Sequence, residues 1–505
     1  FALMSNININ SNKPSLLKSL LVCAAALVFA SIASALPSTG GSNMLATPGV
    51  SFQTAGSTLS FTAPDKAIIN WNNFGSGTDT IAIGETVAYR LPSSTASILN
   101  IVNGGQNTTI NGTIESNANV YILNPNGIVI GNGARIDVGR LTLSTVDNPF
   151  MAQNSFLTEG KLPSESGNRS ASGSITIGSA ISNSNVVALT KAISIGNYIS
   201  SGTLTISADG NVALANAGAV LYNTGAVTVT NTTGNTVIGS AGATLAAPNG
   251  ITVNSTSGSI SSLANSKLNS SKVVLNTVTG DISASGLLTS DASVSGKNVT
   301  VNFDSIVAPS ISAVADGTLS ISSPAFLTVN SLKNTTGTST ITAANKLTLS
   351  GVHINSANAT SFTGASIVDG SNDIFVYGPT SFTATAGDIS ITKNNHSFGP
   401  LSANATGNVT VFENGAINLN VVRGTNVNLN TKEFFFQTPT TAALSATKLN
   451  LVAFGDVAFY TGNISGGLTI NTKGNVDLSK LSLATSLNNV APSVTTTGTV
   501  TNPSP

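Results

Sequence analysis

A chain of 505 residues has room for several ordinary domains or for one long repetitive one. Only 8% of its residues are charged and 5% aromatic against 41% hydrophobic, too apolar for a disordered polymer and too poor in charge for an average globular protein. Twenty basic and twenty acidic residues cancel, which excludes electrostatic recognition of nucleic acid or of an anionic membrane surface as the theme of the chain.

Phe1 to Leu3 precede Met4 and are set aside as a reading-frame remnant. From Met4, Lys13 and Lys18 lead into the apolar run Leu20 to Ile32 and then Ala33-Ser34-Ala35, the three parts of a secretory signal peptide, so residues 1–35 are expected to be removed after Ala35. The run is shorter than the about 20 residues a membrane-spanning helix needs, so no integral membrane segment is expected after cleavage. Cys23, the only cysteine, lies inside it. The mature chain would then lack thiols and disulfides, leaving backbone pairing and burial to stabilise it.

Residues 36–150 form the most distinctive stretch. It contains Ile69-Asn70-Trp71-Asn72-Asn73-Phe74, then Ile98-Leu99-Asn100-Ile101-Val102-Asn103-Gly104-Gly105, then Thr109-Ile110-Asn111-Gly112. Val120-Tyr121-Ile122-Leu123 runs into Asn124-Pro125-Asn126-Gly127-Ile128, and Ala134-Arg135-Ile136-Asp137-Val138-Gly139 closes the series. In order and spacing these blocks resemble the secretion domain of two-partner secretion exoproteins of the filamentous haemagglutinin type. The resemblance implies an all-β, right-handed parallel β-helix with an N-terminal strand cap. It also implies passage through the periplasm of a Gram-negative bacterium and recognition by an outer-membrane POTRA-barrel transporter, with export in an extended state and folding outside. Trp71, Phe74, Asn100, Asn111 and Gly112 are then family-motif residues, and Asn124, Pro125, Asn126, Gly127 and Ile128 the transporter-recognition candidates. Turn chemistry accounts for the same run: Pro125 fixes φ, Asn126 tolerates a left-handed backbone, and Gly127 supplies positive φ without a steric cost. Leu91-Pro92-Ser93-Ser94 stands where the family often carries a second element, Asn-Pro-Asn-Leu.

Residues 151–172 are mostly polar and read as a loop or excursion. From 173 to 485 a β-rich triplet with apolar residues at i and i+2 recurs between Gly, Asn and Asp, as in Leu204/Ile206, Val227/Val229 and Ile251/Val253. Triplet starts fall at intervals of 24, 22, 26, 20 and 28 residues from Val227 to Leu347, and of 20, 18, 22 and 19 from Ile389 to Leu468. A loose period of this length marks a solenoid with one coil per repeat, its Asn-rich turns laddering from coil to coil. A row of immunoglobulin-like sandwiches would need strands every 8 to 12 residues, often around a buried Trp in each domain, and Trp71 is the only one. Residues 486–505, rich in Thr, Pro and Ser, read as a disordered tail.

No catalytic constellation stands out. Asp209, Asp281, Asp304, Asp316, Asp388, Glu413, Asp456 and Asp477 are scattered and read as turn residues. His353 and His396 are 43 residues apart, without partners at metal-ligand spacing, and read as solvated or turn histidines; neither metal nor cofactor is expected. Phe434-Phe435-Phe436 reads as core or cap. These features suit a non-enzymatic, secreted or surface-bound adhesin-like rod, whose nearly uncharged Ser, Thr and Asn faces would bind a glycan or other polar cell-surface receptor. The alternatives are a polysaccharide-acting β-helix lyase or glycosidase, which would need clustered carboxylates, and a cytolysin exported by the same route.

Overall fold

The computed structural model describes residues 36–501, apart from 76–78, 132, 146–148, 161, 163–172, 179–180, 183–184, 191, 197, 201, 305–308, 394, 434, 438–443 and 484–492. The signal-peptide reading therefore falls outside the described residues, as does Phe434.

The i, i+2 aliphatic triplets become strands whose alternate side chains point inward, as in Val227–Asn231 and Ile251–Ser255. One such strand buries too little to stand alone, so the chain winds into a β-solenoid of about 17 turns, spanning roughly 80 Å at the spacing of adjacent strands. Each coil contributes to parallel ladders on three faces. Leu204, Val227, Ile251 and Val273 stack in one, Val212, Thr236, Ile260 and Ile282 in the second, and Leu221, Leu245 and Leu268 in the third. Their inward side chains form one continuous apolar lumen from Leu59 to Leu481.

The register also explains the uneven period read from the sequence. Val227, Ile251 and Val273 lie on one face, but Val273 stacks on Ala292, whereas Val299 stacks on Ile282 across the lumen. Leu319 likewise stacks on Ser339, and Leu347 on Leu327. The intervals of 26 and 28 are thus jumps between faces, since any face can carry an aliphatic pair, while 24, 22 and 20 are true coil lengths. Asx ladders run up the corners as expected: the Asn211 side-chain oxygen accepts the Asn235 N–H at 3.1 Å, and that of Asn235 the Ser259 N–H at 3.0 Å. Asp281, Asp388 and Asp456 accept the N–H groups of Asn298, Asn408 and Asn475 in the same way.

The start of the solenoid is closed by antiparallel strands. Met44–Ala46 pairs antiparallel with Ala67–Trp71, and Ser51–Ala55 forms a hairpin with Thr58–Thr62, covering an edge that would otherwise be open to association.

Residues 151–172, the tail and His396 depart from expectation. The stretch read as a loop or excursion begins with a helix rather than a loop, Pro149–Glu159, which Gly160 ends in a left-handed conformation (φ 70°), its N–H donating to the Phe156 carbonyl. It is an excursion from a single solenoid, because Leu141 stacks directly on Val186 across it, and so no structural break separates 36–150 from 173–485. The tail read as disordered carries strands Ser493–Thr495 and Val500–Thr501, which continue the parallel ladders, because its Val and Thr residues suit a strand despite the Pro and Ser around them. His396 is fully buried rather than solvated or in an open turn. Phe435 is buried against Phe459 at 5.1 Å, as the core reading expects.

Candidate functional site

The family-motif residues assemble inside the cap. In Ser97–Val102 the inward positions are Ile98, Asn100 and Val102, so an amide projects into a mainly apolar lumen. Burying it is tolerable only because its hydrogen-bonding groups are occupied. The Asn100 side-chain oxygen accepts the Trp71 indole N–H at 3.1 Å and the Tyr89 hydroxyl at 2.9 Å, and its NH2 donates to the Tyr121 carbonyl at 3.3 Å. Burial pushes the Tyr89 phenol far above its ordinary pKa, which keeps it a donor. Phe61 stacks on Tyr89 (5.5 Å between centroids) and meets Trp71 edge-on at 5.8 Å, and Phe74 meets Trp71 at 5.2 Å. Sequence reasoning found Trp71, Phe74 and Asn100 but not Phe61 or Tyr89, which belong to strands that look like any other.

Asn111 and Gly112 sit at a corner where successive coils almost touch. A Cβ on Gly112 would lie 2.3 Å from the Ala82 carbonyl oxygen and 2.5 Å from that of Glu85, so only glycine fits. Two carboxylates of the preceding coil are buried here, Asp79 against Gly104 and Glu85 near Gly112: the Asp79 side chain accepts the Phe74 N–H at 2.6 Å and that of Glu85 the Ala82 N–H at 2.9 Å. Burial raises the Asp79 pKa against the lowering effect of its backbone hydrogen bond.

The Asn124–Ile128 run is a tight turn bonded into its neighbours. Gly127 N–H donates to the Asn124 carbonyl at 3.2 Å, and the Asn124 side-chain oxygen accepts the Asn126 N–H at 2.9 Å, closing an Asx turn. The Asn124 NH2 reaches the Gln106 carbonyl and the Thr108 hydroxyl, both at 2.8 Å, in the preceding coil, while its N–H donates to Ser144 in the following one. Gly127 has the expected positive φ, 140°, but Asn126 is not left-handed; with Pro125 at the second position and Gly127 at the fourth this is a type I turn, which needs no positive φ at Asn126. Asn124, Gly127 and Ile128 are buried, Pro125 is half-buried, and Asn126 alone is exposed. A partner meeting the folded domain would reach Pro125 and Asn126; one meeting an extended chain would reach all five.

The outer surface of the cap is also apolar. Ile68, Leu99, Ile101, Tyr121 and Leu123 point away from the lumen and are covered by the helix through Ala152 and Phe156, with Tyr121 and Phe156 rings 5.1 Å apart. The signal was in the sequence: Asn119–Leu123 holds an unbroken apolar run and Ser97–Val102 is apolar on both faces apart from Ser97 and Asn100, instead of alternating, as strands covered on both faces do.

Elsewhere, the His396 Nε2 lies 3.1 Å from Asp369 Oδ2, and its Nδ1 accepts the Ile374 N–H at 3.0 Å, which assigns the proton to Nε2 in the neutral ring. Asp369 also accepts the Thr392 and Lys393 N–H groups, and these bonds with His396 hold its pKa down against the desolvation that would raise it. Glu413, read as a turn residue, lies inside the lumen beneath Val409 and Val411; one oxygen accepts the Phe398 N–H at 3.0 Å and the other is buried without a partner. Burial, with a smaller contribution from the Glu433 charge, pushes its pKa up to about 8. Among the described residues no cluster of three His, Cys, Asp or Glu could hold a metal ion, and no helix is long and apolar enough to cross a membrane.

Comparison with known proteins places these observations. A family model described as the TPS secretion domain matches residues 59–374, well past residue 150. A heme/hemopexin-binding protein of Haemophilus influenzae is 36% identical over 91 residues, 18% of this chain and 9% of that protein. Its counterpart in strain ATCC 51907 is 33% identical over 86 residues, 17% of this chain and 9% of that protein. The matched part thus spans about 9% of the length of these curated relatives. Among solved structures, the HMW1 secretion domain from Haemophilus influenzae aligns at 18% identity over 91% of this chain and 99% of that chain, with a TM-score of 0.22.

Proposed function

This chain belongs to the TPS secretion domain family, and from that premise we propose that it is an adhesin-like exoprotein that a partner outer-membrane POTRA-barrel transporter exports. Two-partner secretion implies such a transporter and a place outside the cell or on its surface. The observation that carries the export reading is the N-terminal cap: with Asn100 held by three hydrogen bonds and the antiparallel strands over the first coil, it provides a fixed end on which later coils can add. Contacts in a solenoid run between neighbouring coils, so folding can propagate from that end as the chain emerges. We assign transporter recognition to Asn124–Ile128 in the extended chain, because the fold hides three of its five residues.

The role in this reading is binding rather than catalysis, which the use of the paired acids supports. Asp369 and His396 are consumed by each other and by backbone N–H groups, and the turn carboxylates cap corners. Co-expression with a POTRA-barrel transporter tests export: the chain should reach the medium or cell surface only with the transporter, and Asn126→Ala should cut that yield while the purified variant melts as wild type does. Equal export without the transporter contradicts the proposal.

A further inference from the structure

The outer face of three successive coils between residues 333 and 377 carries a grid of six side chains. Lys333 stands over His353 and His353 over Phe375, while Thr335, Asn355 and Tyr377 occupy the next outward position of each coil. Rows are about 4.8 Å apart and outward neighbours within a row about 7 Å apart. Lys333, Thr335, His353 and Asn355, with Asn334, line a shallow hollow of about 310 Å³. At its edge Phe375 is 37% and Tyr377 73% exposed, and the His353 ring lies 5.2 Å from that of Phe375, tilted by 36°.

These rings lie outside the lumen, which Leu332, Val352 and Ile374 fill behind them. Lys333 has no ion-pair partner among the described residues, and the nearby Asp316 carboxylate accepts the Thr335 hydroxyl at 3.2 Å. The backbone groups of these strands are used in the ladders above and below, so a peptide could not add here as an extra strand. A single ammonium is too little for a nucleic acid backbone. What remains is a ligand with a flat C–H face, a rim of hydroxyls and a length per unit close to the coil spacing.

We propose that this grid binds an oligosaccharide of two or three pyranose units. The C–H face of one unit rests on Phe375 and Tyr377, the hydroxyls of the next bond Asn355 and Thr335, and Lys333 donates to an oxygen of the last. The assignment rests on the reading of the protein as exported, since only outside the cell does this face meet such ligands. The test is saturation-transfer NMR and titration of the full mature chain with cellotriose, chitotriose, mannotriose and trigalacturonate. At least one should receive saturation, strongest on its ring C–H protons, and Tyr377→Ala should weaken it by about ten-fold. Phe454→Ser, at another exposed aromatic, should leave binding unchanged. No transfer to any of the four, or transfer unaffected by Tyr377→Ala, overturns the site. The amount of protein reaching the medium is measured separately; a chain that binds but is not exported sinks the export reading alone, and one exported without binding sinks this one alone.

Discussion

Asn100→Leu probes the cap most sharply, because leucine fills the space of the amide but accepts no hydrogen bond. The Trp71 indole N–H and the Tyr89 hydroxyl would lose their shared acceptor while remaining fully buried. At about 1–3 kcal/mol for each orphaned donor, the variant should lose about 2–6 kcal/mol of cap stability. Adding Tyr89→Phe removes one of the two donors, and about 1–2 kcal/mol should return, a coupling that a double-mutant cycle isolates. Urea unfolding followed by the fluorescence of Trp71 reports the cap alone, since it is the only tryptophan, while far-UV circular dichroism reports the whole solenoid. Repeat arrays need not melt as one unit, so the two signals should separate in the variant. A loss below about 1 kcal/mol, or no recovery with Tyr89→Phe, would show that the amide is not the node described.

Gly112→Ala places a methyl against two carbonyl oxygens and Gly127→Ala forces a side chain into positive φ, so each should cost about 1–3 kcal/mol, against less than about 1 kcal/mol for Pro125→Ala, by chemical denaturation. Glu413 holds its proton in the folded state up to about pH 8 but releases it near 4.5 when unfolded, so stability should fall as pH rises between these values and level off on either side. The slope attributable to this group reaches at most about 1.4 kcal/mol per pH unit, and Glu413→Gln should flatten it in urea titrations at pH 5, 7 and 9. Phe156→Ala removes the main anchor of the outer helix; hydrogen exchange over 149–160 should accelerate strongly while the Trp71 signal keeps its wild-type midpoint.

The architecture was legible because a lumen of stacked aliphatic pairs writes itself into the sequence as i, i+2 triplets at coil-length spacing. Faces were not, since Val273 and Val299 look alike yet lie on different sides of the lumen. The secretion-domain blocks led directly to the Asn100 node and the Asn124 turn, whereas Tyr89 and Phe61 reach it only through register, which a one-dimensional reading lacks. The helix was missed because its apolar residues serve an outer surface of the cap, and that need shows only in the non-alternating strands beneath it. Glu413 and His396 were misread for a related reason: a lone polar residue in a strand signals a turn or a solvent face unless its partners, here backbone N–H groups one coil away, are known.

All of this depends on the parallel register, and paired cysteines test it directly. In a Cys23→Ser background, Thr252→Cys with Val274→Cys places two thiols on stacked outward positions of adjacent coils, within disulfide reach. Mild oxidation should cross-link that pair quantitatively and leave Thr252→Cys with Leu275→Cys free, because one residue along the strand the side chain turns into the lumen. Equal cross-linking of both pairs, or of neither, would contradict the solenoid.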